Sequence, residues 1–273
     1  SSNLNALEGN PNFIFIEHNI VKPLEVVDEV DVVCNLACPA SPPKYYIDPI
    51  RTLETSSMGV KNMLDLAIKH QARFFHTSTS EVYGDPLEHP QKESYFGNVN
   101  PYCKRSCYDE GKRYAEALIY EYRHEKSLDT AIIRIFNTYG PNMDPDDGRV
   151  VTNFIKQALR GENITIQGDG TQTRSFCYVD DQVEGMVRMI NSNEQGPINI
   201  GNPDEFTILE LANMVIKMTK SNSKIVYVPE AESDPKKRKP DITLAKEKLG
   251  WEPKIKLEEG LQNTIEYMKG QVE

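Results

Sequence analysis

The chain has 273 residues, with 31 Lys+Arg against 41 Asp+Glu and a formal net charge of −10, which speaks against nucleic acid or an anionic membrane as partner. Hydrophobic residues at 38% suffice for one large or two smaller cores, and 26% charged residues do not make a disordered composition. No apolar run is long enough to cross a membrane, and the polar opening SSNLNALEGN lacks the basic start and apolar stretch of a signal peptide, so a cytoplasmic protein is expected.

Taken in chain order, short β-rich runs begin at Phe13 (FIFIEHN), Val30 (VDVVCNLA), Ala72 (ARFFHTST) and Thr130 (TAIIRIFN). Stretches with helical periodicity lie between them, from Pro49 to Lys69 and from Ser106 to Lys126. Near-continuous apolar strands alternating with helices predict a doubly wound α/β fold, a parallel sheet covered on both faces. After about residue 140 the elements shorten to ITIQG, FCYVD, PINIG and KIVYVPE, which suggests a smaller α/β lobe. Within it, Thr207 and Glu210 form a capping box ahead of a helix lined by Ile208, Leu211, Ala212, Val215 and Ile216. A last amphipathic helix follows Leu257. A ligand is expected in a cleft between the two lobes.

Five cysteines, at 34, 38, 103, 107 and 177, occur in a chain too large to need disulfide staples, so reduced thiols acting as buried small hydrophobes are expected. Two C-x3-C spacings do not match the usual zinc knuckle, and no metal site is expected. The histidines lack a second ligand at metal spacing and are expected to be structural.

A dinucleotide-binding sheet normally carries a glycine-rich turn after its first strand. No such motif occurs among the sixteen glycines; Gly168-Asp169-Gly170 is nearest, with Thr173 where the third glycine would stand.

Tyr108 and Lys112 stand four apart in a predicted helix and share a face. An ammonium beside a phenol favours the phenolate, which would make Tyr108 a general base near neutrality. The spacing alone is weak, since Tyr122 and Lys126 repeat it, and context decides. Tyr108 follows the polar cluster Ser78-Thr79-Ser80-Glu81 at a strand's carboxyl end, where open parallel sheets bind ligands, whereas Tyr122 reads as part of a solvated helix face.

The segments CNLACPASPPKYYIDPIRTLETSSMGVKNML, HTSTSEVYGDPLEHPQ, NPYCKRSCYDEGKRYAE, RIFNTYGPNMDPDDGRVVTNFIKQALRG, GDGTQTRSFCYVDD and DPKKRKPDITLAKEKLGWEP together resemble UDP-glucuronate decarboxylase, also called UDP-xylose synthase. That family belongs to the extended short-chain dehydrogenases/reductases, and the likeness covers essentially the whole chain. Ser80 stands where the related sugar dehydratases carry Asp, and DPKKRKPDI is a second decarboxylase-like signature. Family members begin with a strand, a glycine-rich turn, a helix and a second strand that this sequence does not contain, so a truncated or partly ordered form of a longer enzyme is expected.

The resemblance implies an NAD-binding Rossmann-like domain over 1–140, N-terminally incomplete and rejoined by 175–201, and a UDP-sugar-binding lobe over 141–273. It implies that Tyr108 and Lys112 drive C4 oxidation and re-reduction of UDP-glucuronate, with Thr79 orienting the 4-oxygen. Ser80 and Glu81 would surround C5 and its carboxylate, and Arg238 would reach the carboxylate or the diphosphate. Asn137 and Arg174 would contact the diphosphate. Asn19, Ile20, Leu36, Cys38, Thr55, Ser78, Thr138 and Arg149 would lie along NAD beside Tyr108 and Lys112. Ser56 replaces a family asparagine. A homodimer through the helices at 49–69 and 106–126 is expected by analogy. The alternatives are a nucleotide-sugar 4,6-dehydratase or 4-epimerase using the same Tyr/Lys pair, and a non-catalytic nucleotide-sugar-binding protein that lacks the dinucleotide half.

Overall fold

In a computed structural model of the chain, residues 2–229 and 236–272 are described. Glu230 of the KIVYVPE run and Asp234-Pro235 of DPKKRKPDI lie outside them.

Four parallel strands form the principal sheet: β1 (Val32–Asn35), β2 (Arg73–Thr79), β3 (Thr130–Ile135) and β8 (Ile198–Ile200), in the order β1-β2-β3-β8. Their apolar content suits burial on both faces. On one face Val33 and Phe74 pack with Val60, Leu64 and Ala67 of α3 (Val60–His70) and Ala115 and Ile119 of α4 (Ser106–Lys126). On the other, Phe75, Ile133, Ile198 and Ile200 meet Met189 of α6 (Val179–Ile190), Ala245 and Leu249 of α8 (Thr243–Leu249), and Trp251. The expected doubly wound class is therefore observed.

The helix expected from Pro49 to Lys69 is interrupted. After the short α1 (Pro42–Tyr45), α2 (Pro49–Glu54) starts at Asp48, whose side chain caps the Arg51 amide, and runs into a π-helical turn, Thr55–Gly59, before continuing as α3. The wider turn brings Ser56 against Gly111 of α4, where an added Cβ would stand 3.0 Å from that of Ser56.

The second half of the chain builds three small sheets. Strands β4 (Thr138–Tyr139) and β7 (Cys177–Tyr178) pair, as do β5 (Ile164–Gln167) and β10 (Ile225–Val228). β6 (Thr173–Ser175) lies between β9 (Glu205–Thr207) and β11 (Lys237–Arg238). These pack around α5 (Val150–Leu159), α7 (Ile208–Thr219) and α9 (Leu257–Val272), with Phe154, Ile155, Leu211, Val215, Leu261 and Ile265 in their core. The capping box is present: the Thr207 hydroxyl accepts from the Glu210 amide at 3.0 Å while Glu210 accepts from the Thr207 amide at 2.7 Å.

Three sequence expectations need correction. The FIFIEHN run is not a strand, and Ile14, Phe15 and Ile16 are exposed. A strand is held by ladder hydrogen bonds, and among the described residues this run has no pairing partner. Cys34, expected to be buried, is exposed because β1 is the outer strand of its sheet. Tyr122 is not wholly solvated either: its ring packs on the α3–α4 core and its hydroxyl donates to Asp65 at 2.6 Å.

Candidate active site

Strand β2 ends in Ser78 and Thr79, and the chain then tightens into a 3-10 turn, Ser80–Tyr83. The Thr79 hydroxyl caps this turn by accepting from the Glu81 amide at 3.2 Å. At its far end Gly84 has φ +63°, and a side chain there would run into the Asn98 carbonyl. The turn therefore fixes Ser80 and Glu81 at the carboxyl edge of the sheet.

Helix α4 carries Tyr108 and Lys112 along β2, and both side chains are buried. Lys112 Nζ donates to the Thr77 carbonyl at 2.8 Å and lies 6.0 Å from the centre of the Tyr108 ring. The Tyr108 ring stacks on Tyr45, centroids 5.2 Å apart and planes 4° from parallel. Burial pulls the Lys112 ammonium below its ordinary pKa, against the opposing pull of Cys38 and Glu116. Burial pushes the Tyr108 phenol up, as would charge on Cys38, while a hydrogen bond with Thr79 and the Arg149 guanidinium act in the opposite direction. Desolvation outweighs the Arg149 charge, so burial works against the phenolate that the Lys112 ammonium favours.

Beside this pair lies a nest of buried charge. The Arg238 guanidinium donates to Glu81 Oε1 and, at 3.2 Å, to the Gly84 carbonyl. Arg105 donates to Glu81 Oε2 at 2.5 Å and approaches Asp109, one helical turn on, at 3.6 Å. Burial alone would raise the Glu81 pKa, but Arg238 and then Arg105 outweigh it and hold the carboxyl at about 2. Asp109 is pushed the other way, up to about 7, first by burial and then by the Glu81 charge, against Arg105 and Arg238.

Tyr108, Lys112, Thr79, Ser80, Glu81 and Arg238 therefore converge from three separate stretches of chain. Arg174 occupies the β6 position in register with Arg238 on β11, and its guanidinium donates to the Thr173 carbonyl at 2.9 Å. Asn137 donates to the Ser175 carbonyl at 3.4 Å, on the same strand as Arg174. Arg149 pairs with Asp147. At the end of β1, Cys38 Sγ meets Ser56 Oγ at 3.3 Å and the Leu36 side chain is 52% exposed.

Other predicted positions use their polar groups internally. The Thr55 hydroxyl donates to the Arg51 carbonyl, and Ser78 donates to Glu116 of α4. Thr138 meets Gln182 of α6 at 3.2 Å. Beside Asn19, the Ile20 carbonyl accepts from Asn62 of α3 at 2.8 Å, and the Ile20 side chain packs on the core beneath α3 and α4. Sequence reasoning missed Tyr45, Arg105, Asp109 and Glu116. Arg105 and Asp109 carried a signal, an opposite-charge i, i+4 pair flanking Tyr108, but such pairs usually lie on a solvated face.

A parallel sheet whose central strand ends in hydroxyls and a carboxylate, crossed by a helix bearing a buried Tyr and Lys one turn apart, defines an extended short-chain dehydrogenase/reductase. Residues 5–264 match the family described as GDP-mannose 4,6 dehydratase. The chain is 57% identical over 259 residues to UDP-glucuronic acid decarboxylase 6 of Arabidopsis thaliana, spanning 95% of this chain and 75% of that protein. It is 52% identical over 265 residues to UDP-glucuronic acid decarboxylase 1 of Danio rerio, spanning 97% and 63%. Among solved structures, UDP-glucuronic acid 4-epimerase from Bacillus cereus, in complex with UDP-glucuronic acid and NAD, superposes with a TM-score of 0.88 at 29% identity, covering 99% of this chain and 86% of that one. UDP-glucose 4-epimerase from Thermotoga maritima with UDP-glucose gives 0.83 at 33% identity, covering 89% and 78%. The chain belongs to the UDP-glucuronic acid decarboxylases.

Proposed function

We propose that the protein decarboxylates UDP-glucuronate to UDP-xylose with NAD as a bound redox cofactor. The observation that carries this reading is the Glu81–Arg238–Arg105 cluster directly beside Tyr108 and Lys112, carboxylate chemistry adjoining an alcohol-oxidising pair.

The residues at the end of β1 fit the reactive half of NAD: a half-buried Cys38 adjoins the buried Lys112 ammonium and the Tyr108 phenol, and Leu36, two residues before it, is exposed. NAD bound there supplies hydride acceptance and return at C4 of the sugar. Tyr108 holds and moves the proton of the 4-hydroxyl, with Thr79 orienting that oxygen. Lys112, anchored on the Thr77 carbonyl, provides the positive charge that lets the phenol lose its proton once the site is filled. A ketone at C4 stands β to the C5 carboxylate, so carbon dioxide leaves while its bonding electrons delocalise into the C4 enolate. Reprotonation at C5 then restores the ketone. Ser80 and Glu81 face that carbon, and Arg238 and Arg174 offer planar guanidinium forks to the carboxylate and the diphosphate. Asn137 and Arg149 complete the diphosphate and cofactor contacts.

The division into a cofactor-binding portion over 1–140, rejoined by 175–201, and a substrate lobe over 141–273 belongs to the same reading. So does a cytoplasmic homodimer. Ile50, Leu53 and Met58 along the helix from Pro49 and Tyr114 on α4 expose apolar surface on the helices expected to pair, and five free cysteines suit a reducing compartment. Among the described residues no helix is long and apolar enough to cross a membrane.

Incubation with UDP-glucuronate and NAD tests the function. Release of carbon dioxide with UDP-xylose is expected; UDP-galacturonate, or a 4-keto product without return of hydride, would overturn it.

A further inference from the structure

Cys107 has no part in the chemistry above, yet it lies one residue before Tyr108 and is 6% exposed. With Tyr45 and Tyr108 it forms a small buried cluster, and the half-buried Cys38 packs against that cluster from a distant part of the sequence. Two further contacts place the Cys38 sulfur beside the first turns of α4. Its Sγ meets Ser56 Oγ at 3.3 Å, and Ser56 packs on Gly111, where an added Cβ would lie 3.2 Å from that same hydroxyl oxygen. Gly111 stands one helical turn after Cys107 on the same face of α4. Burial and then Asp109 push the Cys107 thiol up, and Cys38, ahead of Cys103, adds to that push. The two thiols differ in their surroundings. Cys38 stands outside any helix or strand, three residues beyond β1, and is partly open to solvent; Cys107 is enclosed, its Sγ donating to the Lys104 carbonyl at 3.6 Å. An accessible thiol on an irregular segment beside a sheltered one is the arrangement of an attacked and a resolving cysteine.

We propose that Cys38 and Cys107 are a redox-sensitive pair, which a peroxide joins into a disulfide that closes the catalytic centre reversibly. With hydrogen peroxide, the Cys38 sulfur attacks one oxygen, the O–O bond breaks, and the leaving hydroxide takes the thiol proton to become water. Cys38 is then a sulfenic acid. The Cys107 sulfur attacks the sulfenic sulfur, the S–O bond breaks, and a second water leaves with the Cys107 proton. Two thiols are thus oxidised and one peroxide is reduced to two waters; a small dithiol restores the pair by exchange and is itself oxidised. A transient, sensing disulfide is the kind that a reducing compartment tolerates. Forming the bond draws Cys38 off Ser56 and toward the turn of α4 that carries Tyr108, across the space assigned above to the reactive half of NAD. The closure rests on that assignment, whereas the pairing of the two thiols does not.

The test treats the reduced full chain with a small excess of hydrogen peroxide, followed by quenching and alkylation. The count of free thiols is expected to fall from five by two, with the loss of two hydrogens in mass, and peptide mapping without reductant is expected to show Cys38 joined to Cys107. Decarboxylation of UDP-glucuronate is expected to be lost in step with the cross-link and to return with dithiothreitol. Cys107→Ser is expected to form no cross-link and to leave Cys38 as a sulfenic acid that dimedone captures. Five intact thiols, a disulfide between Cys103 and Cys107, or a sulfenic acid that persists at Cys38 in the unmutated chain overturns the pairing. If Cys107→Ser does not fold, the peptide map of the unmutated chain decides alone. A Cys38–Cys107 disulfide with turnover unchanged overturns the closure. NAD at about a hundred times its dissociation constant is expected to slow cross-linking about a hundredfold. A cross-link that forms at the same rate with NAD bound defeats the cofactor assignment at Cys38 and leaves the pairing standing.

Discussion

Replacing Glu116 by Gln strikes the polar link that fastens α4 to the sheet. Glu116 sits one turn beyond Lys112 and accepts from Arg134 of β3 at 3.0 and 2.7 Å while also accepting from Ser78 of β2. Arg134 in turn donates to the Tyr83 hydroxyl at 2.9 Å, and Tyr83 donates to Asn199 of β8 at 2.8 Å, so a single chain of bonds ties the helix to three strands. The guanidinium and carboxylate are 11% and 14% exposed, too buried for water to replace the lost charge. Glutamine keeps the volume and one acceptor, so the loss is that of a charge-assisted bond, about 1.5–3 kcal/mol. Truncation to Ala, which strands Arg134 altogether, should cost about 3–5 kcal/mol. Against a total stability of about 5–15 kcal/mol the Gln variant should melt roughly 3–12 °C lower. Urea unfolding followed by circular dichroism measures this directly. A Glu116→Gln, Arg134→Met double variant should recover part of the loss, since removing both charges leaves none stranded. A Gln variant within about 0.5 kcal/mol of the parent, or a double variant as unstable as the two single losses together, would refute the argument.

Asp109→Asn should also report on stability. An acid whose pKa is raised on folding, here from 3.8 to about 7, destabilises the folded state progressively as pH climbs through that interval, so the variant should be more stable than the parent at pH 8 by a few kcal/mol and no more stable near pH 4. Glu81 has the opposite sign: held at about 2 against 4.5, it stabilises above pH 4.5, and that contribution disappears as pH falls through 2, visible as a loss of acid resistance in Glu81→Gln. Tyr108→Phe should lower kcat by at least about a thousandfold while leaving UDP-sugar affinity within a few fold, measured by product formation and calorimetry; a loss confined to KM would exclude the proton-transfer role. Thr207→Ala removes one half of the capping box and should cost about 1 kcal/mol in chemical unfolding, with activity intact.

Local signals were legible in the sequence wherever the structure they encode is local. The helix from Ser106 to Lys126, the Thr207 cap and the strand ending at Thr79 answer to neighbours a few residues away. FIFIEHN has strand composition, but a strand exists only with a partner, which composition cannot supply. The Tyr/Lys pair was legible by its spacing only together with the Ser78–Glu81 cluster before it, whereas the upward push of burial on the Tyr108 phenol was not, since desolvation is a property of the packed site. Arg105, Asp109 and Tyr45 escaped notice for a related reason: their meaning comes from meeting Glu81 and Arg238, which stand 24 and 133 residues from Arg105 along the chain.

The π turn at Thr55–Gly59 has a mechanical consequence. One residue more than an α-helix needs rotates everything beyond it by roughly 100° about the axis. The stretch before the turn can therefore present Ile50 and Leu53 outward while the stretch after it delivers Val60, Leu64 and Ala67 to the sheet. A continuous α-helix would have to compromise between these phases. The inserted residue works as a gear change, letting one rod obey two neighbours at once, and excising it would put the outer surface and the core out of step in a single stroke.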